Sequence, residues 1–213
     1  MHTPNPVKGT IKAGVAGNQD YQRKNDKMKY LIAGLGNVGP KYELTRHNIG
    51  FLVLDQVADQ QKTDFASGRL ADKAEFKFKG RSIHLIKPTT FMNLSGKSVA
   101  YWLQALSIPR ENLLVVVDDI ALPFGTLRMR TKGSAAGHNG LKNIEETLGD
   151  QAYSRLRFGV GSEFGKGQQV DYVLSNFSTE EFESMAPLMQ KAKEMILSFC
   201  TIGAEKTMSL YNS

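Results

Sequence analysis

Leu113 to Val117 is an unbroken aliphatic run, and Asp118 and Asp119 follow it directly. A strand with one face in water alternates apolar and polar residues. A run with no polar position belongs to a central strand buried on both faces, as in a parallel sheet covered by helices. A strand that is wholly aliphatic should not end in two acids without a reason. In open α/β sheets ligands sit beyond the carboxyl ends of the strands, which is where these acids fall.

The elements around that run fit an α/β reading. Lys29 to Ala33 reads as a buried strand entering a glycine turn, and from Asn48 the residues Phe51, Leu52, Leu54, Val57 and Ala58 form one apolar helical face. Residues 74–87 read as a hairpin turning at Gly80-Arg81, with Pro88 ending its second strand. Ser95 is placed to cap a helix carrying Val99, Trp102, Leu103 and Leu106. Strands are expected at Thr126–Arg130 and Arg155–Val160, with a helix between them (Leu141, Ile144, Leu148) closed by Gly149. Ser178 to Glu181 has the form of a capping box, and Pro187 either kinks the helix that follows or starts a second one. Strands alternating with helices imply a single α/β domain: a twisted, mixed, mostly parallel central sheet with helices on both faces.

The chain has 213 residues and one cysteine, Cys200, so an intrachain disulfide is impossible and a reducing compartment, the cytoplasm, is expected. No apolar stretch approaches a membrane span. The net charge of +6 favours a polyanionic partner, but half of it lies in residues 1–27, where five Lys and Arg face two Asp. That segment lacks apolar periodicity and a signal-peptide core, and it reads as a disordered extension, or as an over-long start with Met28 the true beginning, before a domain at 28–213.

Three chemistries compete for the polar residues. Gly34, Gly36 and Gly39 spell G-x-G-x-x-G, a dinucleotide fingerprint. The fingerprint needs a helix directly after the glycines and an acid ending a second strand. Pro40 follows the third glycine, and Asp55 lies inside a helix, so the cofactor reading does not hold. A metal site could be assembled from His47, His138 and Asp118, although H-E-x-x-H and C-x-x-C spacings are missing. The third is general-base catalysis. A carboxylate at the end of the aliphatic strand can hold one ring nitrogen of His47, leaving the other to take a proton from water. Asn37, Asn93 and Asn139 suit a substrate with amide and carbonyl groups, because an amide side chain both donates and accepts. Asn37, Met92-Asn93, Asp118 and His138-Asn139 all fall after strands or at a helix start, so they are expected to converge on one rim. Asp119 reads as the start of a solvated loop that caps nearby amides.

The segments GLGNVG, TRHNIGF, PTTFMNLSG, DDIALPFG, GHNGLK and RLRFGVG, in that order, resemble bacterial-type peptidyl-tRNA hydrolase. TRHNIGF and FMNLSG are highly specific, and the likeness runs from about Lys29 to the C-terminal helices. It implies a monomeric cytosolic enzyme that needs no cofactor and cuts the ester between a peptide and the tRNA 3′ end. By the same resemblance His47 is the general base and Asp118 its supporting acid, while Asn37 distinguishes N-blocked from free aminoacyl ends. Tyr42, Phe91, Asn93 and Asn139 hold the acceptor end with Met92 and His138 beside them, and Arg130 and Arg157 meet the tRNA 5′-phosphate. Val38, Ala121 and Ala136 stand where the family has a proline, an acid and a glycine. These departures bear on the loops around Asn37 and His138 and remove no catalytic group. A tRNA-binding module without chemistry is the rival reading, and a deacylation assay separates the two.

Overall fold

The computed structural model describes residues 28–212, and the extension expected at 1–27 lies outside them. Seven strands form one mixed sheet. They are β1 (Lys29–Gly34), β2 (Ala66–Ser67), β3 (Ala71–Phe78), β4 (Arg81–Pro88), β5 (Leu113–Asp119), β6 (Leu127–Arg130) and β7 (Ser154–Gly159), in the order β2-β3-β4-β1-β5-β7-β6. The central four, β4-β1-β5-β7, run parallel, and the strands at both edges are antiparallel. The aliphatic run is β5, one of the two inner strands of this parallel core, and Leu113 to Val117 are all buried.

Helices cover both faces. The helix after the glycine turn, α1 (Ile49–Gln60), packs on the face carrying Ile32, Leu114, Val116, Leu156 and Phe158. The other face, with Leu31, Ala33, Val115 and Val117, is covered by α2 (Ser95–Ala105) and α3 (Asn139–Leu148). Two short helices, α4 (Gln169–Val173) and α5 (Thr179–Glu183), precede α6 (Met185–Ile202) and α7 (Ala204–Tyr211). Met185, Met189, Ile196 and Phe199 of α6 join the first core, as their 3–4 spacing expects, and Pro187 sits in its first turn, where it removes no intrahelical bond. Cys200 is fully buried there, and burial pushes its thiol far above the usual range, so it is packing.

Two local expectations change. Ser95 does not cap α2: it is the first helical residue, and its hydroxyl donates to the Met92 carbonyl. The N-cap position belongs to Leu94, which carries no capping oxygen. The capping box at Ser178 and Glu181 forms in both directions.

Candidate functional site

The parallel strands β1, β4 and β5 end on one rim of the sheet, each followed by a polar segment. The glycines after β1 have packing and turning duties. A methyl group on Gly36 would meet the Phe51 ring at 2.7 Å, and Gly39 has φ 120, a conformation L-residues avoid. The loop then passes through a turn at Pro40–Tyr42 and a second at Arg46–Asn48, which leads directly into α1.

That second turn carries His47, only 9% exposed, against the end of β5. Its Nδ1 lies 3.0 and 3.1 Å from the two carboxylate oxygens of Asp118, which is 6% exposed. The carboxylate has a second partner: His138 Nε2 lies 3.0 Å from Oδ1. The tautomers follow from the bonding. His138 Nδ1 accepts from the backbone amides of Gly140 and Leu141 at 3.1 and 3.3 Å, so His138 is the N-cap of α3 and a neutral ring carries its proton on Nε2. That proton is donated to Asp118. His47 likewise donates Nδ1–H, and its Nε2 keeps a lone pair. Burial alone would push the Asp118 carboxyl up, but the electrostatic attraction of the N–H groups of His138 and His47 and the hydrogen bonds they donate outweigh it and hold the group well below the usual carboxylate range.

His47, Asp118 and His138 bring their ligand atoms within 4.8 Å of one another, the spacing of a candidate metal site. The bonding argues against it. A metal on His138 Nε2 would need a lone pair there while Nδ1 already presents one to two backbone amides, and an imidazole has only one to offer without losing both protons.

These groups line a cleft of about 770 Å³ that also includes Asn37, Phe91, Met92, Asn93, Asn139, Arg130 and Arg157. Helix α4 forms part of its wall through Gln169, Val170 and Val173. The four polar clusters expected to converge therefore do share one cavity. Asn37 is clamped by Asn48, which accepts from its backbone N–H at 2.8 Å and donates to its carbonyl at 2.9 Å. Its side-chain Oδ1 accepts from the Met92 amide at 3.3 Å, which leaves the Asn37 amide hydrogens as donors. Phe91 is 73% exposed at the rim. Tyr42 is half-buried on its own turn beside Lys41 and lies outside the cleft wall.

Arg130 and Arg157 project from neighbouring strands on the same face as Arg128 and Arg155. Their surroundings differ. Arg157 is paired with Asp119, whose other oxygen accepts from the Ala121 amide, so Asp119 caps a nearby amide as expected but is held as an arginine's partner and is not solvated. Arg155 is buried, bound to the carbonyls of Gly133 and Ser134 and to Glu145. Arg130 forms no ion pair among the described residues, and its guanidinium bonds only to the Met129 carbonyl.

The sequence reading missed three supports. Asn48 is adjacent to His47 in TRHN, and a buried amide beside a candidate base was the available signal. Arg46 is buried and binds Ser175, Asn176 and Glu181, tying the His47 turn to the segment between α4 and α5. Nothing local to TRHN forecasts that. The third is Asn143, which accepts from the Gly96 amide at 2.8 Å.

A family model described as peptidyl-tRNA hydrolase matches residues 31–213. Among similar proteins, a peptidyl-tRNA hydrolase of Cytophaga hutchinsonii is 58% identical over 186 residues, covering 87% of this chain and 99% of its own. One from Bacteroides fragilis is 53% identical over 185 residues, with 87% and 99% covered. Among solved structures, a peptidyl-tRNA hydrolase from Acinetobacter baumannii superposes with TM-score 0.82 at 28% identity, over 88% of this chain and 96% of that one.

Proposed function

Since this chain belongs to the peptidyl-tRNA hydrolase family and hydrolyses the ester joining a peptide to the 3′ end of tRNA, we propose that the cleft beside Asp118 is its catalytic site. One observation carries the assignment. Asp118 accepts from His47 Nδ1, which leaves His47 Nε2 with a lone pair facing a cavity large enough for an acyl ester.

In this reading His47 Nε2 takes a proton from water as the water oxygen attacks the ester carbonyl carbon. The imidazolium that forms stands against the Asp118 carboxylate, whose negative charge favours it. The side-chain amides of Asn93 and Asn139 donate to the carbonyl oxygen as it gains charge. Collapse breaks the bond to the ribose oxygen, which recovers the proton from His47. The products are a free peptide carboxyl and a tRNA with its terminal hydroxyl restored. Acid–base catalysis supplies about 10²- to 10⁴-fold, so the amides and the positioning of the ester supply the rest.

The free amide hydrogens of Asn37 suit a peptide carbonyl, which supports its part in telling an N-blocked end from a free amine. The exposed Phe91 ring suits a stacked base of the acceptor end, with Met92 beneath it and Tyr42 on the turn beyond. Both ring nitrogens of His138 are engaged, so its part is to hold Asp118 and present a ring edge to the substrate. Arg130 and Arg157 are proposed to meet tRNA phosphate. Hydrolysis by this route involves no metal or cofactor. In this reading the enzyme acts as a monomer, in the cytoplasm where ribosomes release peptidyl-tRNA.

The test is release of tRNA from N-acetyl-aminoacyl-tRNA. His47→Ala loses turnover while keeping its affinity for the substrate. A variant that still released tRNA at nearly the wild-type rate would remove His47 from the chemistry.

A further inference from the structure

Asn93 and Asn139 sit on different elements, and nothing links them directly. Asn93 lies in the turn Met92–Leu94 that runs into α2, and Asn139 is the first residue of α3. Amides that hold one oxyanion must keep a fixed separation, so some contact between these two helix starts has to set it. Two glycines bring the elements together. A methyl group on Gly96 would lie 2.5 Å from the Asn143 carbonyl oxygen, and one on Gly140 would lie 2.7 Å from Met92 Sδ.

Between those close approaches there is one directional bond. The Ser95 amide bonds to the Met92 carbonyl, but the amides after it need acceptors, and neither local side chain offers one: that of Leu94 has no polar atom and the Ser95 hydroxyl donates to Met92. Asn143 Oδ1, reaching from the second turn of α3, accepts from Gly96 N–H at 2.8 Å. It caps α2 from the neighbouring helix. Asparagine is a poor helix former, and an interior position costs helix stability, so its presence here has a reason outside α3 itself.

We propose that Asn143 is a positioning residue for ester hydrolysis: by capping α2 in trans it fixes the turn carrying Asn93 against the helix carrying Asn139. The inference rests on the reading that these two amides stabilise the oxyanion. Asn143 touches no substrate. It acts through the Gly96 amide and the two residues, Leu94 and Ser95, that separate Gly96 from Asn93.

The experiment measures kcat and KM on N-acetyl-aminoacyl-tRNA for Asn143→Leu, Asn143→Asp and Asn143→Gln, alone and in an Asn139→Ala background. Misplacement of reacting groups by a fraction of an ångström to one ångström costs up to about 100-fold, so Asn143→Leu is expected to lower kcat about 10- to 100-fold with KM little changed. Asn143→Asp keeps the acceptor and adds a negative charge favoured at a helix N-terminus, and it is expected to retain wild-type kcat. Asn143→Gln keeps a polar group but moves the acceptor, and its loss of kcat carries the test if the leucine variant does not fold. In the Asn139→Ala background the effect of Asn143→Leu is expected to shrink to less than about threefold, because positioning an amide that is gone has no value.

A wild-type kcat for both Asn143→Leu and Asn143→Gln overturns the proposal. So does an undiminished loss in the Asn139→Ala background, which a merely structural role would give. If Asn93→Ala and Asn139→Ala themselves turn over normally, the assignment of the amides fails and the role of Asn143 falls with it. That outcome is distinguishable, because it is read from variants that leave Asn143 in place.

Discussion

Gly34 and Gly50 lie in backbone contact: a methyl group on Gly34 would sit 2.3 Å from the Gly50 carbonyl oxygen. The reverse is as tight, since one on Gly50 would sit 2.4 Å from the Leu35 nitrogen and 2.6 Å from the Val116 carbonyl oxygen. The pair closes the loop that runs from β1 to α1 and holds both ends against β5. Asn37 and His47 lie within that loop, so their placement on the cleft depends on an approach only glycine permits.

Gly50→Ala is therefore expected to destabilise the fold by at least about 3 kcal/mol, the upper range for overpacking, because its obstacles are backbone atoms that cannot rotate away. Urea unfolding measures it. A variant as stable as the wild type would show that β1 and α1 can separate without cost.

Asp118→Asn leaves one oxygen to accept from two imidazole N–H groups and sets its N–H₂ against at least the Nδ1–H of His47, which lies 3.0 and 3.1 Å from the two carboxylate oxygens. One ring must change tautomer or turn away, and kcat is expected to fall about 10³- to 10⁴-fold, as for a serine-protease aspartate replaced by asparagine. The pH dependence of stability has a definite sign. The folded carboxyl is held below its unfolded value, so its contribution is fully present above about pH 4 and is lost as pH falls toward the depressed folded value. Asn takes up no proton there. The stability gap between the wild type and Asp118→Asn should accordingly close on acidification, which urea titrations from neutral pH downward would follow.

Ala136 has φ 48, in the left-handed region, two residues before His138. That conformation costs an L-residue about 1–2 kcal/mol, partly offset by the greater freedom glycine has when unfolded. Ala136→Gly is expected to gain about 0.5 kcal/mol, with kcat unchanged if the loop already has its working shape. Thermal melting combined with the deacylation assay separates the two effects.

Of the three arginines lining the cleft, Arg155 and Arg157 are paired with acids, and Arg130 forms no ion pair among the described residues, so its charge is the one most available to a phosphate there. Arg130→Ala should raise KM without altering kcat, and the slope of log KM against log salt should fall by about one counterion. An unchanged slope would mean that this side chain meets no phosphate.

Much of this molecule is local and was legible. A wholly aliphatic pentad can only be a strand covered on both sides, and β5 is that strand. The 3–4 spacing of apolar residues located α1, α2, α3 and α6, because each buries a single stripe. The glycines of the G-x-G-x-x-G spelling have a packing reason, since a side chain on Gly34 or Gly36 would strike α1. Pairing His47 with Asp118 needed only the rule that strand ends gather function.

Other features depend on register and docking, which no window of sequence contains. Ser95 looked like a cap, but the turn at Met92–Leu94 advances the helix start and turns its hydroxyl back on Met92. His138 serves as an N-cap and as a second donor to Asp118 only because α3 begins beside the end of β5. Asp119 meets Arg157 because β5 and β7 are neighbours, in register, although 38 positions separate the two residues. The amino-acid order by itself determined most of the strands and helices, though not β2 or α4, and which polar clusters reach the rim, since hydrophobic period and strand direction are properties of short stretches. Only the tertiary structure decided which nitrogen of each histidine holds its proton, because that depends on partners the fold brings together from distant parts of the chain.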